Sequence, residues 1–283
     1  MKLIAALFLA VLLHVAWNLF TRDAPRKQEY IWWGLVGHLI LFAPWSLYFL
    51  IKQGHWSGWL PAYLVISTLA LSIYFISLRN AYEYAPVTLA YPIARSSPIL
   101  IALCSKYLVG ESLSFLGWGG ILISTIGILM LALSAIEENS HHALPPAFSA
   151  ALCTTVYSLS DKAAVAYLPT FPTKLGYVSA SYLIAAVAYS AYLRFRFKRW
   201  TPAERPPRWK WFLAASSIGT AYALIIYVMS YIPAAYAVAL LNAGIVIATL
   251  LSIFHFKEKI FWKQRLFWVV TLSIGLSMIG ISI

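Results

Sequence analysis

The chain has 283 residues, 61% of them hydrophobic and 11% charged, with a mean hydropathy of +0.77. A soluble domain carries about 25% charged residues, so this composition excludes one and makes lipid the solvent. The net charge of +12 would suggest a nucleic-acid binder in water, but the basic residues gather at the ends of apolar runs, which argues against that reading.

A bilayer core about 30 Å thick needs roughly 20 apolar residues per helical crossing. The chain supplies ten such runs, at 3–20, 30–51, 60–78, 87–109, 116–135, 145–166, 173–193, 209–231, 234–256 and 265–282. These are too long for barrel strands and lack strict alternation, so the expected fold is an all-α membrane protein of ten transmembrane helices. Lys2 and the apolar run after it resemble a signal peptide, but no small-residue cleavage site follows, and the run is read as the first crossing. It carries His14, Trp17, Asn18 and Thr21 at offsets of 0, 3, 4 and 7, which lie along one helical face. The third run is followed by Arg79, Tyr82 and Glu83; the arginine and glutamate are four apart and suited to pair at the membrane edge.

Inside the fourth run stands Arg95, after Tyr91 and Pro92 and before Ser96, Ser97 and Pro98. An arginine at that depth costs at least about 2.5–3.5 kcal/mol on insertion scales, so it should line a wet cavity or find a partner, with Glu83 and Asp161 as alternatives to a ligand. The two prolines weaken the local helix and free carbonyls beside the guanidinium. The sixth run repeats the polar stripe of the first with Thr154, Tyr157, Ser158 and Asp161, and its neighbour Lys162 points in a different direction. Cys104 and Cys153 fall inside runs and read as small buried apolar residues. Trp32, Trp33, Trp45, Trp56, Trp59, Trp209, Trp211, Trp262 and Trp268 lie near run ends and read as interfacial belts, whereas Tyr74, Tyr91, Tyr157, Tyr222 and Tyr227 lie deeper.

The chain contains the same passage twice. Tyr84-Ala85-Pro86 and a run ending at Glu111 recur as Tyr231-Ile232-Pro233 and a run ending at Glu258, 147 positions later. Each glutamate is expected to tie a turn or the start of the following helix, where a carboxylate meets unsatisfied backbone donors. Two repeats follow, 1–138 and 144–283. With five crossings each they enter the membrane in opposite senses, an architecture that supports alternating access around a site at their interface. Arg95 has Asn242 as its counterpart. Basic residues dominate the odd-numbered loops, with Arg22, Arg26 and Lys27, then Arg194 to Lys210, then Lys257 to Arg265, which predicts a cytoplasmic location for those loops and both termini outside.

Leu12-Leu13-His14-Val15-Ala16-Trp17-Asn18, together with Leu89-Ala90-Tyr91-Pro92-Ile93-Ala94-Arg95-Ser96-Ser97-Pro98 leading to Leu108-Val109-Gly110-Glu111, resembles the drug/metabolite transporter superfamily, in its ten-helix EamA-type branch. The resemblance spans the whole chain. It implies a carrier for small metabolites, a central cavity formed mainly by helices 1, 3, 4, 6, 8 and 9, and, against the charge bias, termini in the cytoplasm.

The expected activity is secondary active transport of a small polar or amphipathic metabolite across a bacterial cytoplasmic membrane. His14, Trp17, Asn18, Tyr91, Arg95, Ser96, Tyr157, Asp161, Tyr222 and Asn242 are the substrate-site residues, with Asp161 or His14 coupling a proton. No cofactor, metal or nucleic acid is expected; the partners are the substrate, the bilayer and protons, and the protein is a monomer or homodimer. An intramembrane enzyme, a receptor and a lipid scramblase are the alternatives. The enzyme is disfavoured by the lack of HExxH, Gly-x-Ser-x-Gly and a paired His-Asp motif, and ATP-driven transport by the lack of an ATP-binding loop.

Overall fold

The structure, a computed structural model, describes residues 2–22, 29–56, 58–85, 87–134, 140–254 and 261–283, with the side chains of 18–22, 87, 88 and 140 outside the described set. Among the described residues there is no strand. The helices are α1 (Lys2–Arg22), α2 (Tyr30–Gln53), α3 (Leu60–Tyr84), α4 (Val87–Ala94), α5 (Pro98–Leu108), α6 (Phe115–Leu133), α7 (Leu144–Ala164), α8 (Phe171–Phe197), α9 (Arg208–Val228), α10 (Ala234–Leu241), α11 (Ala243–Phe254) and α12 (Trp262–Ile281). Counting α4 with α5 and α10 with α11 as broken single helices, they follow the ten runs of the sequence. By length and composition α2, α3, α6, α9, the α10–α11 pair and α12 are each able to cross a membrane, and Lys2–Trp17 is a shorter apolar helix.

Local chemistry explains the ends. Ser114, in an extended conformation, accepts from Gly117 N at 3.0 Å and starts α6. Thr170 and Thr173 cap α8 reciprocally, and Lys198 closes it in the left-handed region at φ 59°. The fourth predicted run is split where Pro98 has no N–H to continue the ladder. Arg95 N bonds to Pro92 O as well as to Tyr91 O, Ser96 N bonds to Ile93 O, and α5 restarts with Ile101 N on Ser97 O. The ninth run is split at Asn242 without any proline, by a tightened turn in which Asn242 N bonds to Ala239 O and Ile245 N to Asn242 O.

The chain forms two compact units, Met1–Ile76 with Ser160–Tyr231, and Ser77–Leu159 with Ile232–Ile283. In the first, α2 packs on α8 and α9, and α1 on α9. Close approach there depends on glycine: a Cβ on Gly219 would lie 2.2 Å from the His38 ring, and one on Gly176 would lie 2.2 Å from Ser46 O. His38 is fully buried, shares a 3.0 Å hydrogen bond with Ser179, and Ser179 shares another of 3.0 Å with Ser46. In the second unit α6 packs on α12, where a Cβ on Gly275 would meet Ser124 N at 2.4 Å.

Two sequence expectations are corrected. Trp32 is not part of an interfacial belt; it is buried, and its Nε1 donates to Ser190 Oγ at 2.7 Å, a partner that sequence position does not reveal. Trp45, Trp56, Trp59, Trp209 and Trp262 are exposed, as a belt requires. Cys104 and Cys153 are free thiols only half buried. Glu111 also reaches beyond its own turn: its carboxylate accepts from Ala234 N, at 3.0 Å to Oε2, and so caps α10, whose N-cap is a proline with no side-chain acceptor. Glu258, its counterpart, lies outside the described residues.

Candidate functional site

The site residues expected from sequence divide between the two units. In the first unit Asp161, in the last turn of α7, is fully buried and accepts a hydrogen bond from the Tyr222 hydroxyl of α9. Ser67 of α3 and Tyr177 of α8 also interact with the carboxyl group. Among the described residues Asp161 Oδ1 and the Tyr177 hydroxyl complete no hydrogen bond. Lys162 turns away, as adjacent helical positions must, and donates to Met229 O at 2.6 Å at the end of α9. Among the described residues Asp161 therefore sits in a ring of neutral hydroxyls with no ion-paired cation, an environment suited to taking up a proton or a cationic group. Trp17 is buried and His14 half buried on α1, the helix packed against α9; the Asn18 side chain lies outside the described residues.

In the second unit Arg95 occupies the gap between α4 and α5 and is 4% exposed. Its Nε donates to Asn242 Oδ1 at 3.0 Å, and Asn242 Nδ2 donates back to Arg95 O at 3.2 Å. Two residues at equivalent places in the repeat thus clasp one another, each at the break of its own helix. The guanidinium carbon lies 5.9 Å from the centre of the Tyr91 ring. Glu83, an expected partner of Arg95, pairs instead with Arg79. Tyr157 is buried on α7 in this unit.

The Ser96 hydroxyl donates to Ile93 O at 2.8 Å. Ser97, one residue on, is fully buried and its hydroxyl has no partner among the described residues. Sequence reasoning also missed Ser67 and Tyr177 beside Asp161. Neither stands at a spacing that ties it to α7, and only the depth of a polar side chain in an apolar run could have drawn attention to them.

Comparison with known proteins agrees with this architecture. A crystal structure whose description states no activity is similar over 99% of this chain and 97% of its own, with a TM-score of 0.72 at 19% identity, a likeness of fold. No curated protein matches. The model of the EamA-like transporter family matches twice, at residues 1–133 and 144–282. With nearly every residue inside one of the two matches, the chain belongs to the EamA-like transporter family.

Proposed function

We propose that this chain is a secondary active transporter that moves a small polar or amphipathic metabolite by alternating access of two inverted five-helix repeats, 1–138 and 144–283. Membership of a transporter family supports movement of a small molecule across a membrane. The inverted arrangement is supported by helix breaks at the matched positions 95 and 242. One observation carries the coupled mechanism: Asp161 is fully buried among neutral hydroxyl groups, with Tyr222 as its hydrogen-bond donor. A carboxyl group so placed exchanges a proton at low cost only when the pathway opens to water, and that is what coupling requires.

In this reading Arg95 binds an anionic group of the substrate beside Asn242. His14 and Asn18 orient it, Trp17, Tyr91 and Tyr157 form apolar walls, and Asp161 carries the proton. The basic stretch 194–210 faces the cytoplasm, which puts both termini outside a bacterial cytoplasmic membrane. Proteoliposome uptake with an imposed pH gradient tests the proposal. Asp161→Asn should abolish gradient-driven accumulation, and Arg95→Ala and Asn18→Ala should each reduce uptake. Full uptake in both of the latter variants would overturn the site assignment.

A further inference from the structure

Three features meet at the gap between α4 and α5. The first is the start of α5, a helix of eleven residues, where Pro98 has no N–H and the first bond into the helix is Ile101 N to Ser97 O at 2.9 Å. The amides of Ile99 and Leu100 precede that bond, at the positive end of the helix. The second is Ser97. As N-cap residue it should be extended and accept from those amides, as Ser114 does for α6. Instead its backbone is helical, at φ −52° and ψ −25°, and it makes no cap bond. Its hydroxyl is fully buried and has no partner among the described residues. The third is Arg95, two residues earlier, whose charged group is oriented by the neutral Asn242 and by the Tyr91 ring.

Burying a hydroxyl without a hydrogen bond is costly, and the neighbouring serines avoid it: Ser96 returns to Ile93 O, and Ser114 caps Gly117. The backbone amides and the guanidinium at this gap are donors, and the Ser97 hydroxyl can donate as well. Such a set accepts an oxyanion and rejects an ammonium group. Extending the carrier reading above, we propose that the α4–α5 gap is an oxyanion seat. It holds the carboxylate or phosphate group of the substrate between Arg95, the Ser97 hydroxyl and the leading amides of α5. Ser97 is then a substrate-binding residue, and Ser96 is a structural one.

The test is titration of the purified full-length protein in nanodiscs with acetate and, separately, inorganic phosphate, followed by calorimetry and by thermal melting. One of the two anions should bind and raise the melting temperature, and which one does so identifies the group. Ser97→Ala should weaken that binding by about tenfold, the loss of one charge-assisted hydrogen bond. It should leave the anion-free melting temperature unchanged or higher, because it removes an unsatisfied buried hydroxyl. Arg95→Met should abolish binding; if that variant does not fold, Arg95→Lys should bind more weakly than wild type through loss of the planar fork. Failure of both anions to bind wild type overturns the seat. So does a Ser97→Ala variant that melts lower without anion yet keeps full affinity, since that is the behaviour of a structural serine. Flux in proteoliposomes reads the carrier separately. Unimpaired transport by Ser97→Ala overturns the seat alone, whereas Ser97-dependent anion binding by a protein that moves no solute overturns the carrier alone.

Discussion

Replacing Asn242 with alanine should show what the clasp across the two helix breaks contributes. The change removes the bond from Arg95 Nε, 3.0 Å, and the bond to Arg95 O, 3.2 Å. A hydrogen bond to a charged group contributes about 1.5–3 kcal/mol and a neutral one about 0.5–1.5. Interhelical bonds in membranes average nearer 0.6 kcal/mol, because the unfolded chain in lipid finds other partners. The guanidinium is almost wholly buried, which favours the upper figures, so Asn242→Ala should cost about 2 kcal/mol. The informative measurement is a double-mutant cycle with Arg95→Met, read by reversible unfolding in mixed micelles. Methionine removes the guanidinium but leaves the backbone carbonyl that Asn242 Nδ2 uses, so Asn242→Ala should still cost about 0.5–1 kcal/mol in that background. The coupling energy is then about 1 kcal/mol or more. A coupling below about 0.3 kcal/mol, the scatter of additive pairs, would mean that the charge-assisted bond does not hold the breaks together and would refute the reasoning.

Glu111→Ala should destabilise by about 1–2 kcal/mol, and Glu111→Gln by less, since the glutamine keeps an acceptor for Ala234 N but not the charge at the start of α10; equal losses in thermal melts would argue against the capping role. Gly275→Ala should be poorly tolerated because its Cβ would meet the backbone nitrogen of Ser124 at 2.4 Å, whereas Gly119→Ala meets only the flexible end of Met278 at 3.0 Å and should fold with nearly unchanged stability. Tyr222→Phe removes the hydroxyl donor to Asp161 and should reduce proton-driven uptake while leaving gradient-free exchange largely intact, as measured in paired flux assays. A single cysteine at Arg199, in a background lacking Cys104 and Cys153, should resist membrane-impermeant maleimide in intact cells and react after the inner face is exposed; labelling of intact cells would reverse the proposed orientation.

Spans were legible because lipid imposes a length: a helix must stay apolar for about 20 residues, and the chain marks each such run with charges or aromatic residues. The α4–α5 break was legible too, through Pro92 and Pro98. Its counterpart at Asn242 was not, because a tightened turn of ordinary residues carries no composition signal, and only the repeat register pointed to that position. The same limit applies to Ser96 and Ser97. Adjacent hydroxyls are equivalent in a sequence, and which one is spent on a carbonyl depends on backbone angles that tertiary packing sets. Glu111 was legible in part. Its need for unsatisfied donors was read correctly, but the donor belongs to α10, 123 residues away, and no local rule reaches so far.

The asymmetry of the repeat at Arg95 and Asn242 has a physical cause that the two copies read separately do not reveal. Most matched positions of a duplicated chain are free to keep the same residue, because each copy sits in its own surroundings. Positions 95 and 242 are different, since their side chains touch one another. Two arginines there would bring like charges to hydrogen-bond distance inside a low-dielectric bundle, a repulsion far stronger than in water. Two asparagines would satisfy each other but would lack the cation that the proposed oxyanion seat requires. One arginine with one asparagine avoids the repulsion, fixes the guanidinium with a neutral acceptor and keeps a single cation at the gap. Asn242→Arg should therefore be more damaging to folding than Asn242→Ala, although it restores identity between the repeats. Thermal melts that ranked the arginine variant as the more stable would show that the contact does not constrain the two positions.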